Sequence, residues 1–379
     1  MRLLLLVTRP QRRGAEVFAA TLGRALRARG HEVGTVYLFD HSGESPLPLL
    51  DGDVVLPGTG RDRPGVDPRR LLRLAGAVRR HCPDLVQLNG GPTVLHGALL
   101  ARLTPRRRWA TVYRNIGDPD RWLVGRSRRA LYRRVVGPAL DGVVGVSSAT
   151  LATVGRIYNS GIPQRRIPRA VDPQELQSRR AAAEVRAALD TPAAAPLLLF
   201  AGSLTMEKRV DRLLRLVAAL RPDHPELRLW IAGEGPLRSR LEATARELGV
   251  APAIRFLGPR DDLPDLLAAA DLLVLASDSE GMPGVVLEAG AAGRPVVATA
   301  VGGVAECVLP EETALLVPPH DEAGLATAVT ALLADPNRRR VMGGRAAAWV
   351  AERFSIDTIA GEYEEFYHQV LARRREGLR

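Results

Sequence analysis

Twice along this chain, short apolar runs alternate with longer segments whose apolar residues recur every three to four positions. Runs that short, bounded by turn residues, read as buried strands, and the periodic segments read as helices packed by one face. Strands separated by helices lie parallel, because a helical crossover returns the chain to the same end of the sheet. The first series predicts strands over 3–7, 32–38, 84–88, 109–112 and 142–146, with helices over 15–29, 68–81, 92–103 and 126–140. The second predicts strands over 197–201, 227–232, 254–257, 272–275 and 295–298. Its helices fall over 210–220, 237–248, 263–270 and 285–292, and further ones begin at Glu322, Pro336 and Ile356. Between the two series, residues 173–196 shift to Ala, Arg and Pro, ending in Asp190-Thr-Pro-Ala-Ala-Ala-Pro196, the composition of a boundary. A length of 379 residues accommodates two cores. The expected fold class is therefore α/β, with two Rossmann-like domains over 1–175 and 190–355 facing one cleft. Sheets of this kind bind ligands beyond the carboxyl ends of their strands.

Composition excludes several classes. The apolar run 3–7 is cut off by Thr8, Arg9 and Pro10. It is shorter than the roughly 7–15 residues of a secretory core or the roughly 20 of a spanning helix. Cys82 and Cys307 match no redox or zinc spacing, as in reduced cytoplasmic proteins. Charge is unevenly spread: residues 1–185 hold 31 arginines against 15 acidic residues, whereas 186–379 hold 22 basic against 27 acidic ones. A basic first half suits an anionic acceptor or a membrane surface, although solvated arginines in a chain with a single lysine are the simpler source of the same charge. Nucleic acid is not expected, because no binding motif accompanies the charge and aromatic content is 4%. Residues 122–136 alternate apolar and arginine positions at helical spacing, which fits an interfacial helix or one packed on its own sheet.

The sharpest motif is Glu280-Gly-Met-Pro-Gly-Val-Val-Leu-Glu288, between the strand 272–275 and the helix from Val285. A strand, a Gly/Pro turn and a helix start present N–H groups and a positive dipole end to an anion. Pro283 has no N–H, which leaves Met282, Gly284 and Val285 as donors. Glu288 lies in an apolar stretch, where a carboxylate needs polar partners. Vicinal sugar hydroxyls are suitable ones, since one carboxylate accepts from both. An ordinary turn and an exposed glutamate explain the same residues equally well. Asp51-Gly-Asp53 and Asp118-Pro-Asp120 mimic paired metal-binding aspartates but read as turns, and His31 reads as a surface residue. No P-loop, dinucleotide fingerprint, nucleophile elbow or histidine cluster is present.

The two glutamates eight apart, followed by Gly293-Arg-Pro-Val-Val-Ala and Gly302-Gly303-Val-Ala-Glu306, resemble the retaining GT-B glycosyltransferases of family four. The resemblance covers most of 196–320 and extends more weakly over 1–172. Gly202-Ser-Leu-Thr-Met-Glu-Lys208-Arg209 resembles that family's diphosphate loop; Ala232-Gly-Glu-Gly-Pro236 and Phe256-Leu-Gly258 resemble its nucleoside-side turns. The resemblance implies a metal-independent enzyme without cofactor that transfers a sugar from a nucleotide, UDP being favoured, to a natural-product, lipid or polysaccharide hydroxyl. It places Glu288 on the ribose, Glu280 on the transferred sugar and Lys208 on the diphosphate. Arg209 is then a second phosphate contact or a solvated neighbour, the backbone at Pro259 and Arg260 meets the base, and Gly14 lets the first domain approach the donor. A last helix over 356–379 would return to the first domain, with hinges near 172–196 and 352–356.

Departures fall mainly on the acceptor side. Ser203 stands where the family has arginine, and Arg169-Ala170 replaces the usual Asn-Gly before Asp172. The histidine expected near residues 111–118 is absent, leaving Arg114, Asn115 or Asp118 to position the acceptor. A degenerate module that binds sugar nucleotide without transfer, or an isomerase or phosphorylase on the same scaffold, is the alternative reading.

Overall fold

The computed structural model describes residues 1–11, 14–40, 46–57, 66–117, 123, 125–158 and 161–376. The chain divides into two compact units, Met1–Arg169 with Ile356–Arg379, and Ala170–Ser355. The division falls between Arg169 and Ala170, ahead of the Ala/Pro-rich stretch in which the sequence places it. That stretch folds with the second unit: Val171 bridges Ser355, and a helix Ala182–Ala188 follows.

The first unit is a parallel sheet of seven strands: β1 Arg2–Val7, β2 Glu32–Tyr37, β3 Val54–Val55, β4 Leu85–Asn89, β5 Ala110–Asn115, β6 Gly142–Gly145 and β7 Gln164–Arg166. Their order is β3-β2-β1-β4-β5-β6-β7. The interior strand β1 pairs Leu4 with Gly34 on one side and Val86 on the other. It is covered on both faces, so Leu3 to Val7 are all buried. Helices Gly14–Ala28 and Ile356–Glu376 pack against each other, and helix Gly91–Leu103 packs against Pro68–His81. The last helix buries Ile359, Tyr363, Phe366, Tyr367 and Val370, a three-and-four spacing that gives it one apolar stripe.

Some details depart from the sequence reading. The short strands β3 and β7 and the helix Ser148–Ile157 are additional. That helix starts on a capping box in which Ser147 and Thr150 exchange hydrogen bonds. The expected helix 126–140 is an α-helix Arg126–Leu131, a π-turn Tyr132–Val136 closed by Gly137 N–H donating to Tyr132 O, and a 3₁₀ turn Gly137–Ala139, in which Pro138 has no N–H to continue the ladder. His31 is no surface residue: its ring is 8% exposed and its Nε2 lies 3.1 Å from Glu364 Oε1.

The second unit holds six parallel strands: β8 Leu197–Ala201, β9 Arg228–Ala232, β10 Ile254–Gly258, β11 Leu272–Leu275, β12 Val296–Thr299 and β13 Ala314–Val317. The order β10-β9-β8-β11-β12-β13 reverses direction at β8 and β11. Strands 197–200 and 272–275 are buried almost completely, and each leucine there contributes about 1.5–3 kcal/mol. The crevice at such a reversal point is where doubly wound sheets take their ligands. No described helix in either unit is long and apolar enough to cross a membrane.

Candidate active site

The turns after the strands of the second unit are laced together by backbone contacts. Gly202 N–H donates to Ala232 O (2.9 Å), Gly233 N–H to Gly258 O (2.7 Å) and Leu204 N–H to Glu234 O (3.0 Å). Gly233 has a φ of +136°, and a Cβ there would lie 1.9 Å from Gly202 O, so only glycine lets these turns meet. On the other side of the reversal point, Gly303 N–H donates to Glu280 O (3.2 Å) and Thr299 Oγ1 to Ser277 O (2.6 Å). Gly302, with φ +54°, would place a Cβ 1.7 Å from Glu280 O. Asp278 N–H donates to Glu207 O (2.8 Å), which joins the turn after β8 to the turn after β11.

On this rim the structure brings Lys208 and Glu280 into direct contact. Lys208 Nζ donates to both carboxylate oxygens of Glu280, at 2.7 and 2.8 Å, and Ser277 Oγ donates to Oε1 at 2.7 Å. The Glu280 side chain is 7% exposed and that of Lys208 23%. The only lysine of the chain is therefore neutralised locally by the glutamate assigned to the transferred sugar. An ammonium has three donors, so one is left for a ligand while this pair persists. Helix Gly284–Ala291 begins just beyond, with Pro283 at its cap supplying no side-chain hydrogen bond. Gly284 and Met282 are buried, Val285 is half-buried, and Glu288 is half-buried between the buried Leu287 and Ala289.

Arginine and carboxylate side chains brace the pair from below. Arg212, 3% exposed, donates to Ala276 O (2.9 Å) and to Asp278 Oδ1 (2.7 Å), and lies 2.7 Å from His320 Nδ1. Arg209 is in the left-handed region at φ +48°. It grips Asp211 through two N–H groups (3.0 and 2.9 Å) and Asp278 through a third (3.2 Å). The hydrogen bonds that Arg209 donates to Asp211 hold its pKa above the usual value. Desolvation pushes the Asp278 carboxyl up, but Arg212 and Arg209 outweigh it and leave the group below the ordinary carboxylate range. All three of the Arg209 donor groups are thus directed to Asp211 and Asp278. Arg260 is likewise clasped by Asp262, with Nε 2.7 Å from Oδ1. Ser277, Asp278, Arg212 and His320 were not singled out from sequence. Asp278, two residues before Glu280, was the one signal available.

The acceptor-side residues are placed differently. Arg114 and Asn115 end β5, yet both are buried, at 2% and 1% exposure. Arg114 Nε donates to Tyr363 Oη (3.0 Å) and its guanidinium lies 3.9 Å from the Phe18 ring centre. Asn115 accepts from Tyr113 Oη (3.1 Å) and donates to Thr150 O (3.0 Å). Both side chains thus hold the first unit together, because a strand covered on both faces turns every side chain inward. Asp118 lies outside the described residues. Gly14 is exposed at the start of its helix, and a Cβ there would lie 2.4 Å from Arg169 Nη1. Asp53 accepts from Leu50 N–H (3.0 Å) as a turn residue. Among the described residues no group of three or more His, Cys, Asp or Glu is placed to hold a metal.

Comparison with known proteins follows this division. Residues 12–175 match the family described as Glycosyltransferase Family 4, and residues 195–335 the family described as Glycosyl transferases group 1. A D-inositol 3-phosphate glycosyltransferase of Salinispora tropica is 37% identical over 213 residues, 52% of this chain and 44% of the relative. An exopolysaccharide phosphotransferase of Streptomyces coelicolor is 39% identical over 178 residues, 46% of this chain and 19% of the relative. The chain spans about half the length, or less, of these curated relatives. Anabaena HepE, solved in complex with UDP and glucose, superposes with a TM-score of 0.83 at 20% identity over 97% of this chain and all of that one. The fold is GT-B.

Proposed function

For a chain whose first domain is a glycosyltransferase family 4 domain and whose second is a glycosyl transferases group 1 domain, we infer that the protein transfers a sugar from a sugar nucleotide to an acceptor hydroxyl. The observation that carries this reading is the meeting of Lys208, Glu280 and Ser277 at the reversal point, one turn before the helix that carries Glu288. A nucleoside diphosphate leaving group gathers negative charge as its bond to the anomeric carbon breaks. Prepositioned donors that meet this charge stabilise the transition state, and the ammonium of Lys208 with the first N–H groups of helix Gly284–Ala291 supplies them. Glu280 then turns from the lysine to the hydroxyls of the sugar, and Glu288 takes the ribose. UDP is the favoured nucleotide, in line with the ligand in the HepE structure.

In the reaction we propose, the anomeric C–O bond breaks and its electron pair leaves with the diphosphate. The acceptor oxygen bonds to the same face of the sugar, and its proton passes to the departing phosphate oxygen. No protein base or metal ion is required by this route, and configuration is retained. NMR of the product made from an α-linked nucleotide sugar tests it: an α-linked product is expected, and a β-linked one would eliminate the retaining mechanism.

A further inference from the structure

The charge asymmetry of the chain is concentrated on one layer of the first unit. Strands β4, β5, β6 and β7 step in one direction from β1, and right-handed crossovers put their connecting helices on one face of the sheet. This layer comprises Pro68–His81, Gly91–Leu103, the segment from Arg126 through Ala139, and Ser148–Ile157. Its members touch: the second packs on the first and on the π-turn of the third. Together they contain 12 arginines and neither an aspartate nor a glutamate. The opposite layer, Gly14–Ala28 with Ile356–Glu376, holds 5 arginines and 6 acidic residues, and pairs Arg29 with Glu364.

A preference for arginine over lysine explains neither the absence of carboxylates nor its restriction to one layer. The second unit, Ala170–Ser355, has the same preference and is net acidic, with 20 basic and 25 acidic residues. Within the basic layer Arg102, Arg106, Arg133 and Arg134 are exposed at or beside the helices. Leu72, Leu103 and Leu131, also exposed (74%, 68% and 42%), lie on the same helices, next in sequence to Arg73, next to Arg102 and two before Arg133. Like charges crowded on one face repel one another, and the exposed ones attract an anionic surface. The aromatic side chain of the third segment, Tyr132, is buried at 3% exposure and offers no platform for bases. Arginines interleaved with exposed leucines suit a lipid headgroup region, where the charge meets phosphate and the leucine meets acyl chain.

We propose that this carboxylate-free helical layer docks the protein on an anionic lipid surface. The inference is independent of the reaction assigned to the second domain. Binding is electrostatic, so it weakens with salt. Each arginine near a charged leaflet adds about fivefold in affinity, and four together more than a hundredfold.

The test is co-sedimentation of the full chain with phosphatidylglycerol/phosphatidylcholine vesicles. The protein should bind them in low salt, leave them at about 0.5 M salt, and ignore vesicles of phosphatidylcholine alone. Replacing Arg102, Arg106, Arg133 and Arg134 with Gln should cut binding at least a hundredfold. The same change at the exposed Arg240, Arg246, Arg340 and Arg345 of the second unit should leave it intact. Should the first variant fail to fold, hydrogen exchange on the unaltered protein replaces it, with vesicles expected to slow exchange in 68–81 and 126–139. Equal loss in both variants, salt-insensitive binding, no binding, or capture of single-stranded RNA in preference to vesicles would each overturn the proposal.

Discussion

Replacing Lys208 with alanine should destabilise the second unit, and the loss should be largely undone by a second change. In the intact protein Nζ donates to both oxygens of a carboxylate that is only 7% exposed, and Ser277 donates to one of them. Removing the lysine leaves Glu280 charged, nearly buried and held by one hydroxyl. Breaking a fully buried pair costs about 3–5 kcal/mol. Lys208 is 23% exposed, and water entering the gap screens part of the charge, so about 1–3 kcal/mol is expected. For a unit of this size that lowers Tm by roughly 2–4 °C per kcal/mol. Adding Glu280→Gln to Lys208→Ala removes the stranded charge while keeping an acceptor for Ser277, so most of the lost Tm should return. Thermal unfolding of the four proteins, at low and high salt, gives the coupling directly, with about 0.5–3 kcal/mol expected for groups in contact. Strictly additive effects, or a Lys208→Ala protein as stable as the parent, would refute the view that this pair is an energetic unit.

Four further outcomes follow. Transfer should survive chelation by EDTA, and loss of activity restored by manganese or magnesium would refute a lysine-borne leaving group. Glu288→Ala should weaken binding of free nucleotide about tenfold or more, whereas Glu280→Ala should spare it and lower turnover; calorimetry with the opposite ranking would exchange their roles. Gly302→Ala should cost several kcal/mol and lower turnover, because its Cβ would lie 1.7 Å from Glu280 O in a left-handed conformation; an unchanged Tm would refute the close approach. Arg212 and Arg209 depress the Asp278 carboxyl against desolvation, so the stability it contributes is present above the unfolded value near pH 4 and is lost as pH falls through the lower folded value. Arg212→Met should flatten this acid limb of Tm against pH, and an unchanged limb would remove Asp278 from the brace.

The sequence exposed those features whose signal is local. Runs such as 197–201 and 272–275 are wholly apolar and followed by turn residues, so their strands and the turns after them could be placed from composition. The donor-side motif was legible because Gly, Pro and Glu sit at fixed offsets within nine residues. What could not be read were contacts between distant segments. Arg212 reaches Ala276 and Asp278 across more than sixty residues, and nothing in its own helix marks it as different from Arg215. Arg114 looked like a polar residue at a strand's end, and only Phe18 and Tyr363, 249 positions further along, show that it faces inward. The short strand β3 had too few residues to give a periodicity.

Release of nucleoside diphosphate from a panel of sugar nucleotides, followed in parallel for the parent, Lys208→Ala and Glu280→Ala, tests the central claim most directly. The parent should release diphosphate from at least one donor, faster when acceptor is added, and both substitutions should reduce the rate by about 10²-fold or more. A parent that binds a sugar nucleotide tightly yet releases no diphosphate with any acceptor would contradict the account and mark the chain as a binding module.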